Sequence, residues 1–175
     1  RGACHLQGMT YHVDRGALKL PEYGITEPPK TPEERARAVI ITQNLCAFLD
    51  SAGLCKFGTL GIVDFDRVAA TWSAVTGLRA DRYEVLAAGE RVWYATRMLN
   101  YLLGFTNRDD MLPKRFINEP VADGPGAGNV FADFEESLRE YYKQRKLDSL
   151  EHLREKLLEL DLVEFVDHLD EIRLW

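Results

Sequence analysis

The 175-residue chain is 46% hydrophobic and 29% charged, the make-up of one folded domain with a sizeable core. Its net charge of −6 argues against a primary nucleic-acid role, since a phosphate-backbone binder shows a basic face. No apolar run approaches the roughly eighteen residues that cross a bilayer.

The chain begins RGACHLQGMTYH, with no initiator methionine and no secretory signal pattern. It reads as a piece of a longer polypeptide, entered inside a structured region. Residues 1–30 hold several glycines and prolines without a sustained period, and they predict an irregular lead-in. Residues 31–104 predict helices. Thr31-Pro32-Glu33-Glu34 is a helix start, with Thr31 as cap, Pro32 at the first helical position and Glu34 completing a capping box. Ala38, Ile41, Leu45, Phe48 and Leu49 follow at three- and four-residue steps and predict a core face. This helix runs to about Ala52, where Gly53 can turn left-handed and Leu54 can make the apolar contact of a Schellman ending.

A second helix is predicted from Asp64, carrying Val68, Trp72 and Val75, to Gly77. A third runs from Asp81 through Leu86, Val92, Trp93, Leu99 and Leu103 to Gly104. Residues 105–130 lack a period and predict a long loop, of a length that often packs over a site. Residues 131–175 predict C-terminal helices, the first from Ala132 to Gln144 with Phe134, Leu138 and Tyr141 on one face. Two short helices follow from Ser149, with Glu151–Glu159 as an exposed charged face. Strand-like alternation is confined to GTLGIVDF, residues 58–65, so the fold class is all-α: an irregular multi-helix domain with long loops.

The chemistry-bearing candidates are few. Three cysteines, Cys4, Cys46 and Cys55, are odd in number and widely spaced; they make no disulfide framework and fit a reducing, cytoplasmic setting. In Asp50-Ser51-Ala52-Gly53-Leu54-Cys55 the plain reading is a helix end with a packed cysteine. The sharper one is a ligand site. Past a left-handed turn the backbone amides are open to a ligand, Asp50 can accept from the amino edge of a heterocycle, and a Cys55 thiolate can ligate cluster iron. A zinc site from Cys4, His5, Cys46 and Cys55 lacks the paired spacing of structural zinc. Asp109 and Asp110 could do acid–base work or bind a divalent ion, but adjacent loop carboxylates are more often solvated or salt-bridged. His12 and His152 have no assignment.

The string Asp50 to Lys56, DSAGLCK, resembles the D-x-x-G-L-C-x pterin-binding signature of the tungsten-dependent aldehyde:ferredoxin oxidoreductase family. Arg1-Gly2-Ala3-Cys4-His5 is similar to the family's RG-x-x-H segment. GERVWYATRMLN (89–100), DDMLPKRFINEP (109–120) and YYKQR (141–145) look like its later landmarks, in order. The resemblance reaches about residue 160 and implies the family's third, C-terminal helical domain.

It also implies roles. Asp50 and the Leu54-Cys55 backbone would hold one pterin of a tungsten (or molybdenum) bis-pterin, and Cys55 would be the fourth cysteine of a 4Fe-4S cluster. His5 would be the catalytic proton donor or acceptor near the metal; Arg1, from its charge, is a candidate contact to pterin phosphate. The partners implied are an aldehyde substrate, ferredoxin as electron acceptor and the N-terminal domains of the same polypeptide; a homodimer of the full enzyme is compatible. The family has Gly-Trp-Asp after its YY-x-x-R, where this chain has Lys146-Leu147-Asp148, which bears on how the last helices pack.

The rival reading is a non-catalytic helical interaction domain, with Cys55 and His5 buried and far apart. The family's remaining cluster cysteines, an upstream CxxC-x3-C run, are not in these 175 residues. The chain expressed alone is therefore expected to bind no tungsten and to oxidise no aldehyde. Metal analysis of the purified chain checks this, and stoichiometric tungsten would overturn it.

Overall fold

The computed structural model describes residues 4–59 and 64–175, with only the backbone of His5 and Thr59. Arg1 lies outside the described residues. In chain order the α-helices are α1 Tyr11–Asp14, α2 Pro32–Ser51, α3 Lys56–Thr59, α4 Phe65–Thr76, α5 Arg82–Leu102, α6 Lys114–Asn118, α7 Phe134–Gln144 and α8 Leu150–Glu159. Short 3₁₀ turns punctuate the loops, and a longer 3₁₀ segment, Val163–Glu171, follows α8. The all-α expectation holds. Pairing of strand type among the described residues is limited to one bridge, Leu20 with Ile25, folded back around Gly24.

The helix starts follow from local chemistry. Thr31 Oγ1 accepts from the Glu34 amide at 3.2 Å, while Glu34 Oε2 accepts from the Thr31 amide at 3.4 Å. Asp81 opens α5 in the same reciprocal way with Glu84, its amide donating at 2.6 Å and its carboxylate accepting at 3.0 Å. Asp64 caps α4 by accepting from the Asp66 amide. Among the described residues, no helix is long and apolar enough to cross a membrane.

The two long helices, α2 and α5, form the centre, and α7 lies against α2. The five periodic apolar positions of α2 are all buried, at 2–7% exposure. They join Tyr23, Phe65 and Val85 in one core between α2, α4, the start of α5 and the N-terminal segment. A second core gathers Tyr94, Met98 and Tyr101 of α5 with Tyr142, Leu153 and Leu157. Helix α5 thus spans both. Its buried face is Val85, Gly89, Tyr94, Met98 and Tyr101, while Leu99 and Leu103 point to solvent.

Val75, carried by α4 in step with Val68 and Trp72, is 80% exposed: the core ends at Trp72, and among the described residues no element covers the last turn. The 105–130 loop contains the short helix α6 and a 3₁₀ turn, Asn107–Asp109. The strand-like stretch 58–65 enters on α3 and leaves on α4; its residues 60–63 lie outside the described residues.

Helices α2 and α5 come into close backbone contact at Gly89. A Cβ at this position would sit 1.8 Å from the Asn44 carbonyl oxygen and 2.7 Å from the Asn44 carbonyl carbon. Both are backbone atoms, which a rotamer change cannot move. Gly89→Ala is therefore expected to destabilise the fold by about 3 kcal/mol or more, the upper range for overpacking. For a chain of this size that lowers Tm by roughly 6–12 °C in a calorimetric or circular-dichroism melt.

Candidate functional site

The last turn of α2 carries Asp50, and its ending has the hydrogen bonds of a Schellman motif. Gly53 lies at φ +70°, its amide bonds the Asp50 carbonyl at 3.2 Å, and the Leu54 amide reaches back to the Leu49 carbonyl at 2.9 Å. A Cβ on Gly53 would meet nothing within 4 Å, so the left-handed φ alone selects glycine there. The apolar half of the motif departs from expectation. Leu54 is 40% exposed rather than folded against the helix, because the chain turns outward into α3.

Cys55 follows in the open and is also exposed. This runs against the rival expectation of a buried residue. Gly58, one turn on, would bring a Cβ to 3.8 Å from the Cys55 Cβ, an ordinary contact. Phe57 is 63% exposed. Leu54, Cys55 and Phe57 thus make an uncovered apolar surface at the head of the motif, the kind that is normally buried against something else.

Lys56 breaks that pattern. It is a charged residue with 9% of its side chain exposed, and its Nζ donates to Asp50 Oδ2 and to the Leu6 carbonyl, each at 2.6 Å. The Leu6 carbonyl belongs to the 3₁₀ turn His5–Gln7. Lys56 therefore brings the backbone of the turn that begins at His5 to the end of α2. The side chain of His5 lies outside the described residues. Sequence reasoning quoted Lys56 within the motif but gave it no task; the available signal was an apolar stretch in which the one cation is flanked by Cys55 and Phe57.

Cys46, on the inner side of α2, is the opposite kind of thiol. It is 6% exposed, and burial pushes its pKa up to about 11, with Lys56 opposing and Asp50 adding to the shift. Cys4 is half-buried. No group of three or more His, Cys, Asp or Glu among the described residues could hold a metal ion, so the four-residue zinc arrangement does not assemble there.

Two cavities flank the motif. One of about 630 Å³ is bounded by Thr42, Cys46, Leu49, Lys56 and Phe65. The other, of about 850 Å³, runs between α2, α5, α7 and the long loop, with Gln7 and Asp50 at one end and Arg97 and Tyr141 among its walls. Asp109 and Asp110 border it, and both have structural duties. Asp109 closes a capping box by accepting from the Thr106 amide at 2.7 Å. Asp110 takes bonds from Arg97 at 3.0 and 2.6 Å and from the Tyr142 hydroxyl at 3.0 Å. His152 pairs with Asp148 at 3.0 Å, and His12 stacks on Tyr11.

The YYKQR landmark is packing rather than chemistry. Arg145 is wholly buried, with its guanidinium 3.9 Å from the Trp93 ring centroid and Nη2 donating to the Gln43 side chain at 3.0 Å and the Ile40 carbonyl at 3.2 Å. The hydroxyl of Tyr94 donates to the Arg145 carbonyl.

Residues 1–162 match the sequence model of a family described as aldehyde ferredoxin oxidoreductase, domains 2 and 3. The chain belongs to this family. It is 36% identical over 167 residues to the tungsten-containing aldehyde ferredoxin oxidoreductase of Pyrococcus furiosus, covering 94% of this chain and 27% of that protein. The similarly named proteins of Pyrococcus horikoshii and Thermococcus kodakarensis are 36% and 35% identical over 168 residues, covering 95% of this chain and 27% of each. The chain thus spans about a quarter of the length of these curated relatives.

The thiols differ enough to be tested directly. At pH 8 iodoacetamide is expected to alkylate Cys55 in the native 175-residue chain well before Cys46, which should react only after unfolding. A burial-raised pKa leaves little thiolate below it. Peptide mass spectrometry over a time course reads the order of labelling.

Proposed function

We propose that this chain is the helical part of an enzyme that oxidises aldehydes, with water, to carboxylic acids and passes two electrons to ferredoxin. The observation that carries the reading is the exposed Cys55 thiol, set two residues beyond a left-handed helix stop in a chain of this family.

The donor set suits the cofactors. Thiolate is the protein ligand of iron–sulfur clusters, and a carboxylate accepts from an amino-bearing ring edge. Leu54 and Phe57 offer uncovered apolar surface on either side. When bound, the tungsten–pterin group and the 4Fe-4S cluster supply the two-electron oxidation and the electron relay. The relatives are named as tungsten-containing, which favours tungsten over molybdenum.

The chain's own residues would do narrower work. Cys55 would give the fourth thiolate of the cluster, the other three coming from an upstream stretch of the same polypeptide. Asp50 would hold the pterin edge through Oδ1, its other oxygen being engaged by Lys56. The Leu54 amide is committed to the Leu49 carbonyl, so the Leu54 carbonyl and the Cys55 amide, which have no backbone partner among the described residues, would be the backbone groups that meet the pterin. His5 would hold and release the proton of the reaction, for which an imidazole is suited near neutral pH. Leu54 and Phe57 would exclude water around the cluster. A cytoplasmic, reducing setting goes with a cysteine kept as a ligand.

The test is Cys55→Ala in the parent polypeptide, produced anaerobically with tungstate. The expected outcome is loss of the cluster EPR signal and of aldehyde-dependent viologen reduction. A variant with an unaltered cluster and full turnover would return DSAGLC to an ordinary helix stop.

A further inference from the structure

A surface lysine next to a loop cysteine is ordinarily solvated, but Lys56 is 9% exposed. A buried ammonium is costly unless its donors are used. Its position at the start of α3 adds nothing favourable, since the N-terminal end of a helix disfavours a cation. Among the described contacts, the pair of 2.6 Å bonds to Asp50 Oδ2 and to the Leu6 carbonyl offsets the burial.

These two acceptors lie on different stretches of the chain. Asp50 closes α2, and Leu6 sits in the turn that begins at His5. The Asp50 side chain is 54% exposed, and a carboxylate that open would otherwise sample several rotamers. Lys56 takes one of its oxygens. Oδ1 has no hydrogen bond among the described residues.

Resting on the function proposed above, we propose that Lys56 is a positioning residue. It pins Asp50 through Oδ2 and the His5–Gln7 turn through the Leu6 carbonyl, so that Asp50 Oδ1 meets the pterin ready-aligned and the two site segments keep one register. An acceptor held in place before binding loses less freedom when the ligand arrives. The ammonium also stands one residue from the cluster thiolate, where a positive charge favours the reduced, more negative cluster.

The test uses the parent holoenzyme, prepared anaerobically with tungstate, in Lys56→Met, Lys56→Arg, Asp50→Asn, the double variant Asp50→Asn/Lys56→Met, and Cys55→Ala. In Lys56→Met the tungsten and pterin retained through purification should fall about tenfold, the lower range for losing an outer-shell partner. Its cluster midpoint potential, from an EPR-monitored redox titration, should move to more negative values at full iron content. Lys56→Arg should recover most of both. The double variant should lose no more pterin than Asp50→Asn alone, because the lysine acts through that carboxylate.

Wild-type retention with an unshifted potential in Lys56→Met overturns the proposal, and so do losses from the two single variants that simply add. Should Lys56→Met fail to fold, Asp50→Asn at its half-exposed position breaks the same contact from the other side, and unchanged pterin retention there overturns it equally. Cys55→Ala separates the two levels. A retained cluster there defeats the underlying function and this inference together. A lost cluster there, with Lys56→Met unchanged, defeats this inference alone.

Discussion

The structure depends on the absence of one methyl group. At Gly89 the backbone of α5 comes so close to the Asn44 carbonyl of α2 that no other residue fits without separating the helices. That contact fixes the spacing of the two longest helices, and with it the place where α2 ends. Arg145 then ties α7 to both. It is a fully buried cation, compensated by the Trp93 face, the Gln43 and Ile40 oxygens, and Glu90 at 3.8 Å. A guanidinium suits this position because its planar, delocalised charge stacks on an aromatic ring while its edges still donate. A lysine there would keep the charge and lose the stack.

Against this rigid centre, the end of α2 is built to face outward. The helix stop uses hydrogen bonds that are complete within the turn, so it needs no packing from Leu54 to hold its shape. The side chains that follow are consequently available, and Leu54, Cys55 and Phe57 are left uncovered. A stable turn carrying exposed apolar side chains and a thiol is poor design for a free surface. It suits a surface that something else covers, because the turn is ordered before its partner arrives.

After YYKQR, α7 closes on a left-handed residue that is not glycine. Lys146 occupies φ +54°, the left-handed region that glycine fills more easily, and the Leu147 amide returns to the Tyr142 carbonyl at 2.8 Å. Leu147 is wholly buried in the second core, where it also accepts from the Asn107 side chain at 3.0 Å. The left-handed φ at a lysine costs some backbone strain, and the buried Leu147 holds the tail behind it.

Much of this was legible in the residues alone. The capping box at Thr31, the stop at Gly53, the core face of α2 and the DSAGLCK string were determined by the sequence itself, because each rests on groups within about four positions of one another. The tertiary structure decided what depends on distant groups. It left Val75 in solvent, where no element among the described residues reaches the end of α4, and it paired Asp110 with Arg97. It buried Arg145 in the packing of three helices. It also drew the Leu6 carbonyl onto Lys56, fifty residues along the chain. No local rule foretells that contact, because it exists only once α2 has been held against α5 and its end meets the N-terminal turn.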